Sequence, residues 1–172
     1  TNDWNIKLPN SKELKIPAGS SAKYAAELIT SNLSQTGINA AASTRIELYH
    51  EGSGGTVKFK IGAKSNDYAE IEAVVSSTSL TALAEKINQY IPTTGVTATV
   101  SSSNSRIMLE STSGEDIKLY DFDFDNKSGK TLVTRLTDRF SKPLGNEILL
   151  GGTNGGTAGV STFAMSGNFT NN

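Results

Sequence analysis

Two segments of the chain repeat each other at a constant offset of 58 residues, without a gap. They run from Ser21 to Ser43 and from Ser79 to Ser101, and eight of their 23 positions are identical. After a three-residue insertion in the second copy the match resumes, with residues 44–48 against 105–109 and 57–59 against 117–119. Such a repeat predicts two copies of one supersecondary unit, each of roughly 50 to 60 residues.

Each copy contains an amphipathic helix. In the second copy the apolar residues recur at i, i+3, i+4, i+7 and i+11, on one helical face: Leu80, Leu83, Ala84, Ile87 and Ile91. The first copy has the same face in Ala25, Leu28, Ile29 and Leu33. Ser79 is predicted to be the N-cap of the second helix, and Pro92 and Gly95 to close its end, as Gly37 closes the first.

After each closing glycine the apolar period drops to two, which predicts strands at Ile38, Ala40 and Ala42 and at Val96, Ala98 and Val100. A Ser/Asn turn should then reverse each chain into residues 46–48 or 107–109. A second turn, at 52–55 or 113–114, should lead to another strand. Strands are also predicted before the helices, at Leu14 and Ile16 and at 71–75. The last strand of the second copy changes parity, which predicts a β-bulge near Tyr120.

These patterns predict an α+β fold. It consists of two tandem strand-helix-β-hairpin units with antiparallel sheets, each helix on its own sheet, plus a β-rich C-terminal extension. The expected divisions are residues 1–62, 63–126 and 127–172. Within the extension we expect strands at 132–136, 148–150 and 160–165, and a glycine-rich loop at 151–159.

Composition excludes several functions. Sixteen basic against seventeen acidic residues give a net charge of −1, without a basic stripe, so we expect no nucleic-acid partner. The chain has no cysteine and one histidine, His50, which excludes thiolate and paired-histidine metal sites. No apolar run approaches the roughly 20 residues of a membrane span, and no secretory signal is evident. Because the first residue is Thr1, we expect an excised fragment of a longer chain.

Three motifs imitate known sites. Ser20-x-x-Lys23 has the spacing of a serine-lysine nucleophile, but its partner motifs are absent and a serine there is better read as a helix cap. The sequence 129–131 resembles the end of a phosphate-binding loop, yet Phe124 stands where that loop needs glycine. The triplet Asp121, Asp123 and Asp125 has calcium-loop spacing without the later glycine and glutamate, which favours an outward-facing acidic edge.

The remaining titratable residues also have ordinary readings. His50 stands beside Glu51 at a strand end and is expected to be an exposed or half-buried surface histidine. Glu115 and Asp116 fall in a turn and should be solvated. We therefore predict no catalytic, cofactor-binding or metal-binding residue, no cofactor and no enzyme activity.

The segment after the second helix resembles a known family. The motif of a helix ending in Ile-Asn, then a TGV-type strand, then a SGEDI-type hairpin is similar to the repeat of bacterial flagellins and hook-associated proteins. The matching positions here are Leu83, Ala84, Ile87, Asn88, Gly95, Val96, Ala98, Arg106, Leu109, Ser111, Gly114 and Ile117. The first copy matches at Ile29, Gly37, Ile38, Ala40, Leu48 and Gly52.

The resemblance implies an extracellular structural component of the bacterial flagellum, the surface-exposed outer region of a flagellin. The long helical ends that polymerise in that family are absent here, so the partners would be other flagellar subunits, contacted through missing regions. We therefore expect a monomeric fragment.

Two alternatives stay open. One is a domain of a filament cap or of a hook-filament junction protein. The other is an extracellular carbohydrate- or host-surface-binding module, which would need a coplanar group of exposed aromatics drawn from Trp4, Tyr24, Tyr49 and Tyr90.

Overall fold

The computed structural model describes residues 3–7, 13–51, 54–63, 67–124, 131–137, 142, 148–150, 162–165 and 168–171. Its strands are β1 (Trp4–Lys7), β2 (Glu13–Ile16), β3 (Ala40–Glu51), β4 (Gly55–Gly62), β5 (Ala69–Val75), β6 (Thr97–Val100), β7 (Arg106–Ser111), β8 (Ile117–Phe124), β9 (Thr131–Leu136), β10 (Ile148–Leu150), β11 (Thr162–Met165) and β12 (Asn168–Asn171). The helices are α1 (Ala22–Leu33), α2 (Thr81–Asn88) and α3 (Ile91–Thr94). The predicted α+β class with antiparallel sheets is confirmed.

The strands form two main sheets and one small hairpin. One sheet has the order β10-β9-β3-β7-β6, with β12 also paired to β3, and the other has the order β11-β8-β4-β5. β1 and β2 pair with each other. The two main sheets contribute to one apolar core, in which Leu48, Phe59 and Leu109 are at most 2% exposed. The fold is therefore a two-sheet sandwich, and α2 packs against an edge strand of each sheet, β5 and β6.

A second, smaller core lies under α1. It consists of Leu14 and Ile16 from β2 and Ala25, Ile29 and Leu33 from the helix. In β2 the buried and exposed residues alternate, as a half-buried strand requires. The predicted apolar face of the first helix is thereby confirmed, and this face joins the β1–β2 hairpin to the rest of the molecule.

The two long helices end before the predicted glycines. α1 ends at Leu33 and is followed by a 3-10 turn at Ser34–Thr36, and α2 ends at Asn88, so Ile91 lies in the separate α3. Gly37 and Gly95 adopt left-handed φ values of 82° and 68° after the helical segments. The Ser79 prediction is wrong by one position: Leu80 is the N-cap of α2, while the Ser79 hydroxyl accepts a hydrogen bond from the Thr81 amide at 3.3 Å. Pro92 lies within the short α3, near its start, where the missing N–H costs nothing.

The first copy has no turn where one was expected. β3 runs without interruption from Ala40 to Glu51, so the prediction of a reversal before residue 46 is wrong. In the second copy the turn is present, between β6 and β7, with Asn104 at φ 58°. The three inserted residues of the second copy supply this turn, whereas the first copy lacks them and continues as one long strand.

The two copies do not form separate sheets, and this corrects the expectation that each helix lies on its own sheet. β3 pairs with β7, and β4 pairs with β8, so strands of the two copies lie side by side in both sheets. β3 and β4 of the first copy belong to different sheets. Pairing across the copies covers strand edges that each copy alone would expose.

The bulge prediction is confirmed. Lys58 lies opposite Asp123, but Lys60 lies opposite Tyr120, so β8 carries one extra residue between the two pairs. Asp121, in this bulge, has a left-handed φ of 53°. The extra residue explains why the buried positions of β8 change parity.

The C-terminal extension adds strands to existing sheets. β9 pairs with β3, β11 with β8, and β10 with β9. The strands predicted at 132–136 and 148–150 are confirmed, and the last predicted strand is present as β11 from residue 162. β12 was not predicted, and the glycine-rich segment 151–159 lies outside the described residues. The three-part division of the chain stays a prediction.

Candidate functional site

The second helix is held in place by its apolar face. Leu83 and Ile87 are fully buried, Ala84 is 2% exposed, and all three belong to the sandwich core. Glu85 and Gln89, on the other face, are exposed. The helix therefore packs as the repeat pattern predicted, between β5 and β6.

A side chain at the end of α2 makes the hydrogen bonds that a neighbouring strand would otherwise make to β6. The Asn88 amide donates through Nδ2 to the carbonyl oxygen of Ala98 and accepts through Oδ1 from its N–H, both at 2.8 Å. Ala98 is 7% exposed, so its backbone groups need such partners. One asparagine thus satisfies both groups of a residue on the edge strand β6, and it ties the helix end to that strand.

The first copy makes the same connection with a different residue. The Thr30 hydroxyl accepts from the N–H of Ala40 at 3.0 Å and lies 3.3 Å from its carbonyl oxygen, to which it donates. Thr30 and Asn88 are 58 residues apart, as are Ala40 and Ala98. Sequence comparison missed this pair because the two side chains are not identical. Both, however, can donate and accept.

The two copies also meet at the turn after β7. The Gly114 carbonyl accepts from the amide of Lys23 at 2.9 Å, and Gly114 itself is buried against Ala42. The Lys23 ammonium donates to Glu115 at 2.7 Å, and this hydrogen bond raises the pKa of Lys23 above its ordinary value. The expectation that Glu115 is simply solvated is therefore wrong, since it is paired with a cation of the first helix.

The serine-lysine pair is not assembled for catalysis. The Ser20 hydroxyl donates to the carbonyl of Pro17 at 2.7 Å, and Lys23 is engaged with Glu115. Ser21, not Ser20, is the N-cap of α1, and its hydroxyl accepts from the Tyr24 amide at 3.2 Å. Both serines have the structural roles that residues before a helix commonly take.

The aspartates of β8 face outward, as expected. Asp121 and Asp123 are exposed, and Asp121 accepts from the Lys60 ammonium at 2.7 Å, which raises the pKa of Lys60. Asp125 and the loop at 129–130 lie outside the described residues. Within the described ranges no group of three histidine, cysteine or acidic side chains could hold a metal ion.

His50 is not a surface residue. Its exposure is 8%, and its ring centroid lies 5.4 Å from that of Phe124. The expectation of an exposed or half-buried histidine is wrong because the inward-facing positions of β3 continue past Leu48 to the end of the strand, where β9 lies alongside.

The aromatic candidates that the structure describes differ in exposure. Tyr24 is 47% exposed on α1, whereas Tyr49 is 7% exposed and lies under the Arg106 guanidinium at 4.7 Å. Tyr90 is partly buried against the core, and the side chain of Trp4 lies outside the described set. The coplanar group that a sugar-binding surface was expected to need is not formed by the described members.

A different pair of tyrosines lies on the outer face of the second sheet. Tyr68 is 49% exposed and meets Tyr120 edge-on, with ring centroids 6.0 Å apart. The Lys60 ammonium lies 5.4 Å from the centre of the Tyr68 ring. Burial raises the pKa of Tyr120 above its ordinary value, and Tyr68 adds to the shift. Sequence analysis missed this pair because the two residues are 52 positions apart and meet through β4.

A known family motif matches about a third of the chain. Residues 56–113 match the flagellin hook IN motif. The chain carries a flagellin hook IN motif. The match spans β4 to β7, so it contains α2, the hydrogen bonds between Asn88 and Ala98, and the β6–β7 hairpin. The resemblance to flagellins is thereby confirmed over the matched residues.

The matched segment begins in β4, a strand that the predicted division placed in the first unit. No curated protein matches the sequence. In the described part of the chain, no helix has the length and apolar character needed to span a bilayer. The motif supports a structural domain of the flagellin type.

Proposed function

We propose that this chain is the surface-exposed outer domain of a flagellin, with a structural role and no catalytic one. The observation that carries the proposal is the flagellin hook IN motif, which contributes the strands β4 to β7 to the two-sheet domain. Its core consists of buried apolar side chains from both sheets, as a structural domain requires.

The positions of the first and last described strands support this reading. Ile6 of β1 packs onto the small core under α1, and β12 pairs with the first half of β3 and contacts the same helix. Because both strands lie beside α1, connections to a longer chain would leave from one side of the domain. The opposite side would project outward. Contacts with other flagellar subunits would then run through regions outside this chain, and the isolated chain would be a monomer.

Immunogold labelling of the source cells tests the proposal. Antibodies raised against residues 1–172 should label the flagellar filament along its whole length, because each flagellin subunit would display one copy outward. Pre-immune serum on the same cells is the control. Label confined to the filament tip would instead support the cap alternative, and label confined to the base of the filament would support the junction protein. Label absent from flagella would contradict all three.

A second candidate function, binding of surface carbohydrate, is favoured by one observation. The exposed Tyr68 ring stands beside Lys60 and Asp121, which combines an aromatic face with charged hydrogen-bonding groups on the outer sheet face. Aromatic faces of this kind stack on sugar rings, while charged groups bind their hydroxyls.

For this candidate we expect Tyr68→Ala to weaken binding to any oligosaccharide retained on a glycan array by about tenfold, the worth of one aromatic contact. Tyr24→Ala is the matched control, because Tyr24 is almost equally exposed but belongs to α1 and is not part of the Tyr68–Tyr120 pair. Equal loss in both variants, or no retained glycan with the wild-type chain, would count against carbohydrate binding.

A further inference from the structure

On the edge of β6 that faces away from β7, two residues direct their backbone groups outward: Ala98 and Val100. Ala98 directs both its backbone groups to Asn88, away from β7, so Thr97 and Thr99 make the hydrogen bonds to β7. By the same alternation the backbone N–H and C=O groups of Val100, like those of Ala98, point away from β7. β6 is the last strand of its sheet among the described strands. Without Asn88, two successive outward-facing residues would be available to another strand.

The first half of β3 has an equivalent edge. Ala40 directs both backbone groups to Thr30, so β12 must bond through Ala41 and Ser43 on the opposite edge. On the Thr30 side the outward-facing residues are therefore Ala40 and Ala42. The next one, Thr44, is already level with the last residue of β7. Thr30 occupies the first of these positions, and Gly114, in the turn after β7, lies against the second.

We propose that Asn88 and Thr30 are edge caps that prevent β6 and the first half of β3 from adding a strand of a second copy of this chain. Unpaired strand edges are templates for intermolecular pairing. The Asn88 cap leaves one outward residue on β6, Val100, and one residue cannot form a ladder. On β3 the Thr30 cap closes the edge together with Gly114. The two copies use different side chains at equivalent positions, so the shared property is the occupied edge. The inference does not depend on the proposed place in the filament.

Substitutions of matched shape test the role of Asn88. Asn88→Thr installs the cap of the first copy, and Asn88→Val has the shape of threonine without its hydroxyl. We expect wild type and Asn88→Thr to remain monomeric in sedimentation velocity across a concentration series. We expect the sedimentation coefficient of Asn88→Val to rise with concentration. At the lowest concentration its Ala98 amide should exchange with solvent about tenfold faster, since it has lost its hydrogen bond.

Thr30→Val tests the other edge independently, with the Ala40 amide as its exchange probe, so the proposal stays testable if Asn88→Val does not fold. Leu83→Ala is the stability control, because it weakens the core and leaves both caps in place. The proposal is overturned if both valine variants stay monomeric while their probe amides exchange faster, since the side chains would then only anchor helices. It is also overturned if Leu83→Ala associates as strongly as the valine variants.

Discussion

Leu83→Ala should lower the free energy of unfolding by about 2 to 5 kcal/mol, the usual cost of removing a fully buried leucine side chain. Leu83 has no exposed surface and lies in the sandwich core, where α2 packs against both sheets. The change leaves a cavity that β5 and β6 cannot both close, because each is fixed by its own sheet. Denaturant unfolding followed by circular dichroism measures the effect. The loss would be a large part of the 5 to 15 kcal/mol that stabilises a typical domain.

Glu85→Ala, on the exposed face of the same helix, is the control and should change stability by no more than about 0.5 kcal/mol. A large loss of stability at the buried position and a small one at the exposed position is expected if α2 has a structural role. If Leu83→Ala were as mild as Glu85→Ala, the helix would not be part of the core, and the repeat interpretation would fail with it.

Gly114→Ala should cost about 2 to 5 kcal/mol. Gly114 has a φ of 73°, which disfavours any side chain by about 1 to 2 kcal/mol. An added Cβ would also lie 2.4 Å from the Ala42 Cβ and 2.9 Å from the Lys23 backbone nitrogen. Relieving these contacts must separate the turn after β7 from α1 and β3, at a further cost of about 1 to 3 kcal/mol. Thermal and denaturant unfolding provide the measurement.

Gly37→Ala separates the two contributions. Gly37 has a similar φ of 82°, but nothing lies within 4 Å of its added Cβ. It should therefore show only the conformational cost. Equal losses in the two glycine variants would mean that the close approach of the two copies at Gly114 contributes nothing to stability.

Local patterns predicted the features that depend on neighbouring residues. The helix faces and the bulge in β8 follow from periodicity within a few residues, and the structure confirms them. The flagellin resemblance rested on the same patterns, and the motif match at 56–113 confirms it.

The partners of each strand could not be predicted, because paired strands such as β3 and β7 are far apart in the sequence and local patterns do not record their pairing. Alternation marks Ile46 and Val57 as inward-facing but does not say that they enter different sheets. The assignment of Asn88 to Ala98 was missed for a similar reason. Its first-copy equivalent is Thr30, and the likeness of asparagine and threonine appears only when both are seen bonded to the same backbone position.

The side-by-side placement of strands from both copies makes each copy dependent on the other. β3 lies between β7 and β9, and β4 lies between β5 and β8. Deleting either copy would therefore strip a central strand from both sheets and expose the core along its length. The two copies are therefore not independent folding units. Insertions can lengthen the connections, but neither copy can be removed alone without exposing the core of both sheets.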